Sequence, residues 1–315
     1  GGREDRACLT DLCENSVGRF RAMTSAWMIH HIASGQAFFT GAACLIAAIG
    51  LSRWADRRTF RTARNAMAGL GAILVFVSAT PLAGWAYAVL ILSTTAWAFG
   101  ERLGGKFSSR TIGTMRLGTA AVWLAAAMME APYHMTPALP QLGRPTLSVV
   151  GDSLTAGTGD ARIVGWPAIL ERDHGVDVRV HAKAGVGVAD ALGLANEITP
   201  GENLVLLEIG GNDLLGGTSA ARFEEGLDRL LAAVVRPGRL VAMMELPLPP
   251  TFNAFGRIQR RLAQRYHVTL IPKRILLGVL LRPGATSDTV HLTEAGARSM
   301  AESVWQALRP AVARD

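Results

Sequence analysis

The fold is decided by the stretch TLSVVGDSL, residues 146–154, in which a run of apolar residues ends at a small polar turn. A short apolar run that is rich in β-branched residues and bounded by glycine predicts a buried strand. Strands are predicted at 146–150, 176–181, 203–209, 239–245 and 268–271, and helices at 166–173, 188–197, 220–235, 254–266 and 293–308. This alternation predicts an α/β domain with a parallel sheet, helices on both faces and right-handed crossovers.

Three candidate site residues follow three of these strands. Ser153 follows the first predicted strand, Gly185 the second and Asn212 the third. In a parallel sheet the carboxyl ends of the strands share one edge, and ligand sites form there. We therefore expect the three residues to lie close together.

A carboxylate and an imidazole recur near the C-terminus as Asp288 and His291, three residues apart. A serine hydroxyl is a weak nucleophile until a neighbouring base takes its proton. An imidazole is the side chain suited to this proton transfer near neutral pH. His291 can therefore take that proton and return it to the leaving group, while Asp288 accepts its Nδ1–H. The pattern predicts serine acyl-transfer chemistry, with Ser153 as nucleophile, His291 as base and Asp288 as the orienting acid.

Each motif by itself also has an ordinary structural interpretation, since Gly-Asp-Ser can be a plain turn and an Asp three residues before a His can cap a helix. Their order on a βαβ pattern favours the catalytic interpretation. We expect no metal, because no pair of residues has the spacing of metal ligands. We also expect no cofactor, because Gly185-Val186-Gly187 lacks the later glycine of a dinucleotide-binding loop. The other histidines are interpreted as structural or solvated: His30, His31, His134, His174, His181 and His267.

Four blocks of the chain resemble the SGNH, or GDSL-type, hydrolases, and point to the bacterial periplasmic thioesterase and lysophospholipase branch. They are GDSL at 151–154, Gly185, GGND at 210–213, and Asp288 with His291. The resemblance covers about residues 144–310 and implies a flavodoxin-like, three-layer αβα domain. It also implies an oxyanion hole made by the backbone N–H groups of Ser153 and Gly185 and the side-chain amide of Asn212.

The second block departs from the family pattern. Val180 stands where a leading asparagine is usual, which leaves Gly187 as an alternative to Gly185. The resemblance implies a serine ester hydrolase of the carboxylesterase, lysophospholipase or thioesterase kind that works through an acyl-enzyme. An O-acyltransferase that moves an acetyl group onto a cell-envelope glycan is the alternative, because it would use the same triad. A domain that only binds a ligand would not need a nucleophile, base, acid and amide together.

The first 140 residues have a different composition, with long apolar runs rich in Ala, Gly, Leu and Trp. Only 18% of the whole chain is charged, and its mean hydropathy is +0.25. Apolar segments can be drawn at 33–52, twice within 66–100 with a turn near Pro81, and at 117–133. A membrane-spanning helix needs about 20 apolar residues. We expect an all-α transmembrane region of about four helices, of which the last segment is the shortest.

The charge pattern predicts an orientation for that region. Most of the net charge of +7 falls in the first 140 residues, and loops 53–65 and 101–116 are basic. The positive-inside rule places both loops in the cytoplasm. If the last segment spans, the protein is a multi-pass inner-membrane protein whose catalytic domain is extracytoplasmic, in the periplasm. If that segment lies on the surface, the catalytic domain is cytoplasmic. No nucleic-acid partner is expected, because no recognition module accompanies the charge.

The predicted organisation is a tail at 1–32, a transmembrane region at 33–133, a linker at 134–143 and the hydrolase domain at 144–315. The expected partners are the lipid bilayer and a small acyl ester or lipid-derived substrate; the oligomeric state stays open. We expect no cleavable signal peptide, since no short apolar core with a cleavage site precedes the first long segment. Cys8 and Cys13 can pair in an oxidising compartment. One predicted helix carries a basic cluster, interpreted as a solvated face or as a contact with anionic lipid: Arg257, Arg260, Arg261 and Arg265.

Overall fold

The computed structural model describes residues 24–54, 57–157, 163–288 and 291–312. Cys8, Cys13 and the first part of the predicted tail lie outside these residues. The second half of the chain forms a five-stranded parallel sheet in the order β2-β1-β3-β4-β5. The strands are β1 (Thr146–Gly151), β2 (Asp177–Ala182), β3 (Leu204–Glu208), β4 (Leu240–Met244) and β5 (Thr269–Ile271). All five strand predictions are confirmed, with their ends displaced by one residue at most.

Helices cover both faces of this sheet. They are α6 (Ser153–Ala156), α7 (Trp166–His174), α8 (Ala191–Ala195), α9 (Gly211–Leu215), α10 (Ala220–Val234), α11 (Asn253–Arg265), α12 (Lys273–Leu280) and α13 (Glu294–Val312). Val149 belongs to the apolar core under α7, α12 and α13, whereas Val150 belongs to the core under α8, α10 and α11. Successive strand residues point to opposite faces, so one strand supplies both cores. The predicted three-layer αβα domain is confirmed.

Three of these helices are not predicted by the periodicity of the sequence. Helices α6 and α9 are single turns directly after strands, too short to show a helical period. Helix α12 follows β5 after a single residue and is only eight residues long, too short to show a clear helical period. The helix predicted at 188–197 is wrong in length, because only Ala191–Ala195 is helical.

The first half of the chain is helical, with residues 24–33 forming α1. It continues with α2 (Gln36–Leu51), α3 (Arg58–Val77), α4 (Gly84–Arg102) and α5 (Ser109–Glu130). Residues 24–32 of the predicted tail are thus helical. A turn containing Pro81 joins α3 to α4, as predicted.

The prediction of four spans is not supported. Two segments, Gln36–Trp54 and Ser109–His134, are long and apolar enough to cross a membrane, with mean hydropathies of 1.4 and 1.3, and length and composition alone are weak evidence. Helix α3 takes up much of the basic loop predicted at 53–65, so its first turns carry arginine. In helix α4 the run of apolar residues is interrupted by Ser93-Thr94-Thr95, and the helix ends on Glu101-Arg102. Both helices are thus more polar than the apolar run 66–100 suggested.

Polar contacts show that α2 to α5 have a far end and a near end relative to the hydrolase domain. At the far end, Arg116 donates hydrogen bonds to Glu101 at 2.6 and 3.0 Å and to the Ser52 carbonyl at 3.0 Å. At the near end, the hydroxyls of Ser78 and Thr80 donate to the Gly35 carbonyl, each at 3.3 Å. The basic segments around 53–65 and 101–116 therefore lie at the far end.

A buried ion-pair network joins the near end to the hydrolase domain. Arg260 on α11 donates to both oxygens of Glu130 on α5, at 2.7 and 2.8 Å, and to Glu245 after β4, at 2.6 Å. Lys273 also donates to the carbonyl of Ala79 in the α3–α4 turn. The interpretation of the basic cluster as a solvated face is thus wrong for Arg260, which is buried. Two others of the cluster are exposed and form surface ion pairs: Arg261 with Glu224 and Arg265 with Asp228.

Candidate active site

The turn after β1 carries the predicted nucleophile. Ser153 is the first residue of α6, and the Asp152 carboxylate before it accepts a hydrogen bond from the Leu154 N–H at 3.0 Å. Gly151 is required here, because a Cβ at this position would collide with the Thr155 side chain. The strand thus passes into a helical turn within one residue, which presents Ser153 at the carboxyl edge of the sheet.

The predicted base and acid lie together on the loop before α13. The Asp288 carboxylate contacts His291 twice, with Oδ2 at 2.7 Å from Nδ1 and Oδ1 accepting from the backbone N–H at 2.8 Å. The loop is closed by a hydrogen bond from Ser287 N–H to the His291 carbonyl at 2.9 Å. With Nδ1 held by the carboxylate, Nε2 is the nitrogen that can take a proton from a substrate-side group.

The imidazole and the serine, both among the described residues, do not bond to each other directly. Burial raises the pKa of Asp152, the residue before Ser153, and the charge of His291 opposes this rise. Within the part of the chain that the structure describes, no hydrogen bond joins Ser153 Oγ to the imidazole. Catalytic hydrogen bonds are often long before substrate binds and tighten in the complex.

The three predicted oxyanion donors differ in how they are engaged. The backbone N–H groups of Ser153 and Gly185 donate to no residue that the structure describes. The Asn212 amide nitrogen donates to the Val186 carbonyl at 3.0 Å and to Asp152 Oδ2 at 3.2 Å. Two backbone donors therefore have no acceptor among the described residues, and the amide donor is held at the same edge of the sheet.

The structure distinguishes between the two glycines of the second block. Gly185 lies in the exposed turn after β2 with a φ of 80°, a left-handed conformation that favours glycine. Gly187 packs against the Asp213 carboxylate, whose Oδ2 would be 3.0 Å from a Cβ there. That carboxylate also accepts from the Val188 N–H at 2.9 Å. Gly187 is thus occupied by a structural contact, and the geometry favours Gly185 as the donor.

A buried carboxyl group beneath the nucleophile turn is not singled out by the motifs. Glu208 ends β3, is almost fully buried, and accepts hydrogen bonds from Thr155 Oγ1 at 2.8 Å and from the Asp152 N–H. Burial and the neighbouring Asp152 charge raise the pKa of Glu208 well above its usual value. The available signal in the sequence is a lone acidic residue inside the apolar run 204–209.

We expect Glu208→Gln to become more stable than the wild type as the pH rises. The pKa of Glu208 is higher in the folded state than its ordinary value of 4.5, so the wild type loses stability as the pH rises from that value through the folded pKa. Glutamine does not ionise and escapes this loss. Urea unfolding between about pH 4 and about pH 8 measures the difference. Glu225→Gln, at an exposed pair on α10, is the matched control. If the difference in unfolding free energy between Glu208→Gln and the wild type did not change with pH, the raised pKa of Glu208 would be contradicted.

Among the residues that the structure describes, no group of three or more His, Cys, Asp or Glu is arranged to hold a metal ion. Of the remaining histidines, three contact carboxylates outside the nucleophile turn: His134 with Glu130, His174 with Glu302, and His181 with Glu197 and Glu202.

Comparison with known proteins identifies the family. The sequence model of the GDSL-like Lipase/Acylhydrolase family matches residues 149–298. The chain is 32% identical over 185 residues to "Esterase TesA" of Pseudomonas aeruginosa, covering 54% of this chain and 90% of that protein. It is 28% identical over 182 residues to the "Thioesterase 1/protease 1/lysophospholipase L1" of Escherichia coli, covering 54% and 86%. The chain is also 31% identical in sequence to the protein in the crystal structure of TesA. The match covers 52% of this chain and 98% of that chain, with a TM-score of 0.46. The chain therefore belongs to the GDSL-like Lipase/Acylhydrolase family of ester hydrolases.

Proposed function

We propose that Ser153, His291 and Asp288 form the catalytic triad of a serine hydrolase that cleaves acyl esters or thioesters. The observation that carries this proposal is the double contact of the Asp288 carboxylate with His291, at 2.7 and 2.8 Å, because it holds Nδ1 and leaves Nε2 to act as the base. The substrate class is supported by relatives named esterase, thioesterase and lysophospholipase. Lysophospholipids are included, because they are acyl esters.

The geometry supports a two-step reaction. His291 Nε2 takes the proton of Ser153 Oγ as the oxygen attacks the acyl carbon, and Asp288 stabilises the imidazolium that forms. The tetrahedral intermediate collapses to an acyl-serine, and His291 returns the proton to the departing alcohol or thiol. A water molecule then attacks the acyl-serine with His291 again as base, which releases the carboxylic acid and restores the Ser153 hydroxyl.

The oxyanion of each intermediate would be held by three N–H donors. Ser153 and Gly185 supply unused backbone N–H groups, whereas the Asn212 amide must give up one of its present contacts. Its bond to Asp152, at 3.2 Å, is longer than its bond to Val186, at 3.0 Å. We therefore expect the oxyanion to replace Asp152 as the acceptor, while the Val186 bond keeps the amide in place.

Replacing Asn212 with alanine should lower kcat for hydrolysis of p-nitrophenyl butyrate by about 10²–10³-fold, the usual cost of removing one oxyanion donor. KM should change little, because the donor acts on charge that develops only in the transition state. Asn196→Ala, at the exposed end of α8, is the control and should keep wild-type kcat. Wild-type kcat in Asn212→Ala would remove this residue from the oxyanion hole.

The O-acyltransferase alternative uses the same residues and differs only in the acceptor. It stays a prediction. One assay that offers both a glycan and water as acceptors separates the two functions, because an acyltransferase moves more acetyl onto the glycan than onto water.

We further propose that residues 33–133 attach the protein to a membrane, with 134–143 as a linker to a hydrolase domain at 144–315. Large apolar side chains are exposed on α3, α4 and α5, including Phe76 at 85%, Leu92 at 68% and Leu117 at 73%. Exposed apolar surface of this extent is typical of a membrane or protein contact. The basic segments lie at the far end of these helices, so the positive-inside rule favours an extracytoplasmic hydrolase domain.

The full chain should stay in the membrane fraction after alkaline carbonate extraction. Protease added to spheroplasts should remove the hydrolase domain, whereas inside-out vesicles should protect it. Release by carbonate would contradict membrane insertion. Cleavage only in inside-out vesicles would instead place the domain in the cytoplasm, where a surface-lying last segment would put it.

A further inference from the structure

A cavity of about 550 Å³ lies where the N-terminal helices meet the hydrolase domain. Its walls come from α2, α3, α4 and α5 on one side and from residues 250–257 on the other. Its volume falls within the range of about 300–1,000 Å³ that is usual for small-molecule sites. None of the proposed catalytic residues lines it, so it is separate from the active site.

The walls of this cavity offer a ligand mostly apolar surface. Leu90 and Ile91 of α4 and Val75 of α3 face Ala254 of α11 across it. Two polar side chains in the walls already donate hydrogen bonds within the protein. Trp123 Nε1 donates to Thr94 Oγ1 at 2.9 Å, and the Tyr87 hydroxyl donates to the Thr80 carbonyl at 2.5 Å. An alkyl chain would thus be in contact with apolar surface for most of its length.

Arg257 is the exception, and among the described residues lining the cavity it alone carries a charge. Its side chain is half-buried and has no ion pair or hydrogen bond with any residue that the structure describes. The other three arginines of the same helix are all paired with carboxylates. A partly desolvated guanidinium without a partner is unfavourable, and a carboxylate matches its planar fork with two hydrogen bonds.

We propose that this cavity binds a long-chain fatty acid, with its carboxylate on Arg257 and its chain between α3, α4 and α11. A single positive charge at an otherwise apolar site complements an amphiphile with a single negative charge. The site is formed jointly by the N-terminal helices and the hydrolase domain, so it requires both halves of the chain. It does not depend on the proposed triad, although hydrolysis of a long-chain acyl ester would release a ligand of this class.

Photo-crosslinking with a diazirine-bearing hexadecanoic acid tests the proposal on the full chain in phosphatidylcholine nanodiscs. Mass spectrometry should locate the label on peptides of α4 and α11 that line the cavity. Arg257→Gln should lower this labelling about tenfold, because it removes a charge-assisted hydrogen bond. The matched control is Arg261→Gln, which removes the same charge from an exposed pair on the same helix and should leave labelling unchanged.

Three further arms define the ligand. A diazirine-bearing hexadecanol should label the cavity weakly and equally in the wild type and Arg257→Gln, since it lacks the charge. Ala254→Trp should reduce labelling by filling the cavity, while esterase activity with p-nitrophenyl butyrate reports that the variant is folded. Equal labelling of Arg257→Gln and Arg261→Gln by the acid would overturn the proposal. Stronger labelling of the cavity by a diazirine-bearing phosphatidylglycerol than by the acid would also overturn it, by making a membrane lipid the occupant.

Discussion

Replacing Ser153 with alanine should lower kcat for hydrolysis of p-nitrophenyl butyrate by about 10⁶-fold, the order of loss seen when a triad nucleophile is removed. The acyl-enzyme cannot form without the hydroxyl, so only binding and the oxyanion donors still act on the substrate. The same variant should fail to react with a fluorophosphonate, which in the wild type should add its mass to the peptide that contains Ser153. Steady-state kinetics and peptide mass spectrometry measure the two effects.

The control for this experiment is Ser303→Ala on α13, a serine with no side-chain hydrogen bond in the described part of the chain. It should keep both activity and labelling at Ser153. Equal thermal unfolding of the wild type and Ser153→Ala would exclude loss of fold as the cause. Substantial activity in a folded Ser153→Ala variant would reject the triad, and the family fold would then host a different nucleophile.

Replacing Arg260 with methionine should lower the free energy of unfolding by about 3–5 kcal/mol, the usual cost of breaking a buried ion pair. The side chains of Glu130 and Glu245 are 0% and 1% exposed, and Arg260 lies between them. Without the guanidinium, two like charges would stay buried without the cation that bonds to both of them. Arg260 also lies over the Tyr133 ring at 3.7 Å, a contact that methionine would only partly replace.

Urea or thermal unfolding of the full chain in detergent measures this loss. Arg261→Met removes an exposed pair with Glu224 and should cost about 1 kcal/mol or less. Adding Glu130→Gln and Glu245→Gln to Arg260→Met should recover part of the stability, because the two buried carboxylates are then no longer charged. A loss as small as that of Arg261→Met would show that the network is open to water.

The same network determines how the hydrolase domain sits on the helices. Glu130 is 130 residues from Arg260 in the chain, and the contact between them closes the boundary on which the fatty-acid cavity also lies. Lys273 and the Ala79 carbonyl strengthen the boundary at a second point. We expect variants that loosen this boundary to weaken fatty-acid labelling without changing the chemistry at Ser153.

Most of the hydrolase fold could be predicted from the sequence because its signals are local. Each strand is a short apolar run with a turn after it, and TLSVVGDSL shows strand, turn and nucleophile within nine residues. Asp288 and His291 are close in the chain, so their contact needs only one loop. Local patterns were less reliable for the helices, since hydropathy marks apolar residues and not where a helix begins. Helix α3 begins at Arg58, inside the segment that its charge had marked as a loop.

By itself the sequence determined the α/β class, the strand positions and the residue types of the candidate site, because short apolar periods and strand-end motifs are properties of neighbouring residues. The packing of distant segments, in contrast, places Glu208 under the turn that carries Ser153 and buries Arg260 between two glutamates. It also leaves Arg257 at a mostly apolar cavity with no partner among the described residues. The reason is physical: burial and charge pairing depend on which distant segments pack together, and residues of one amphipathic helix with the same composition can end in different surroundings.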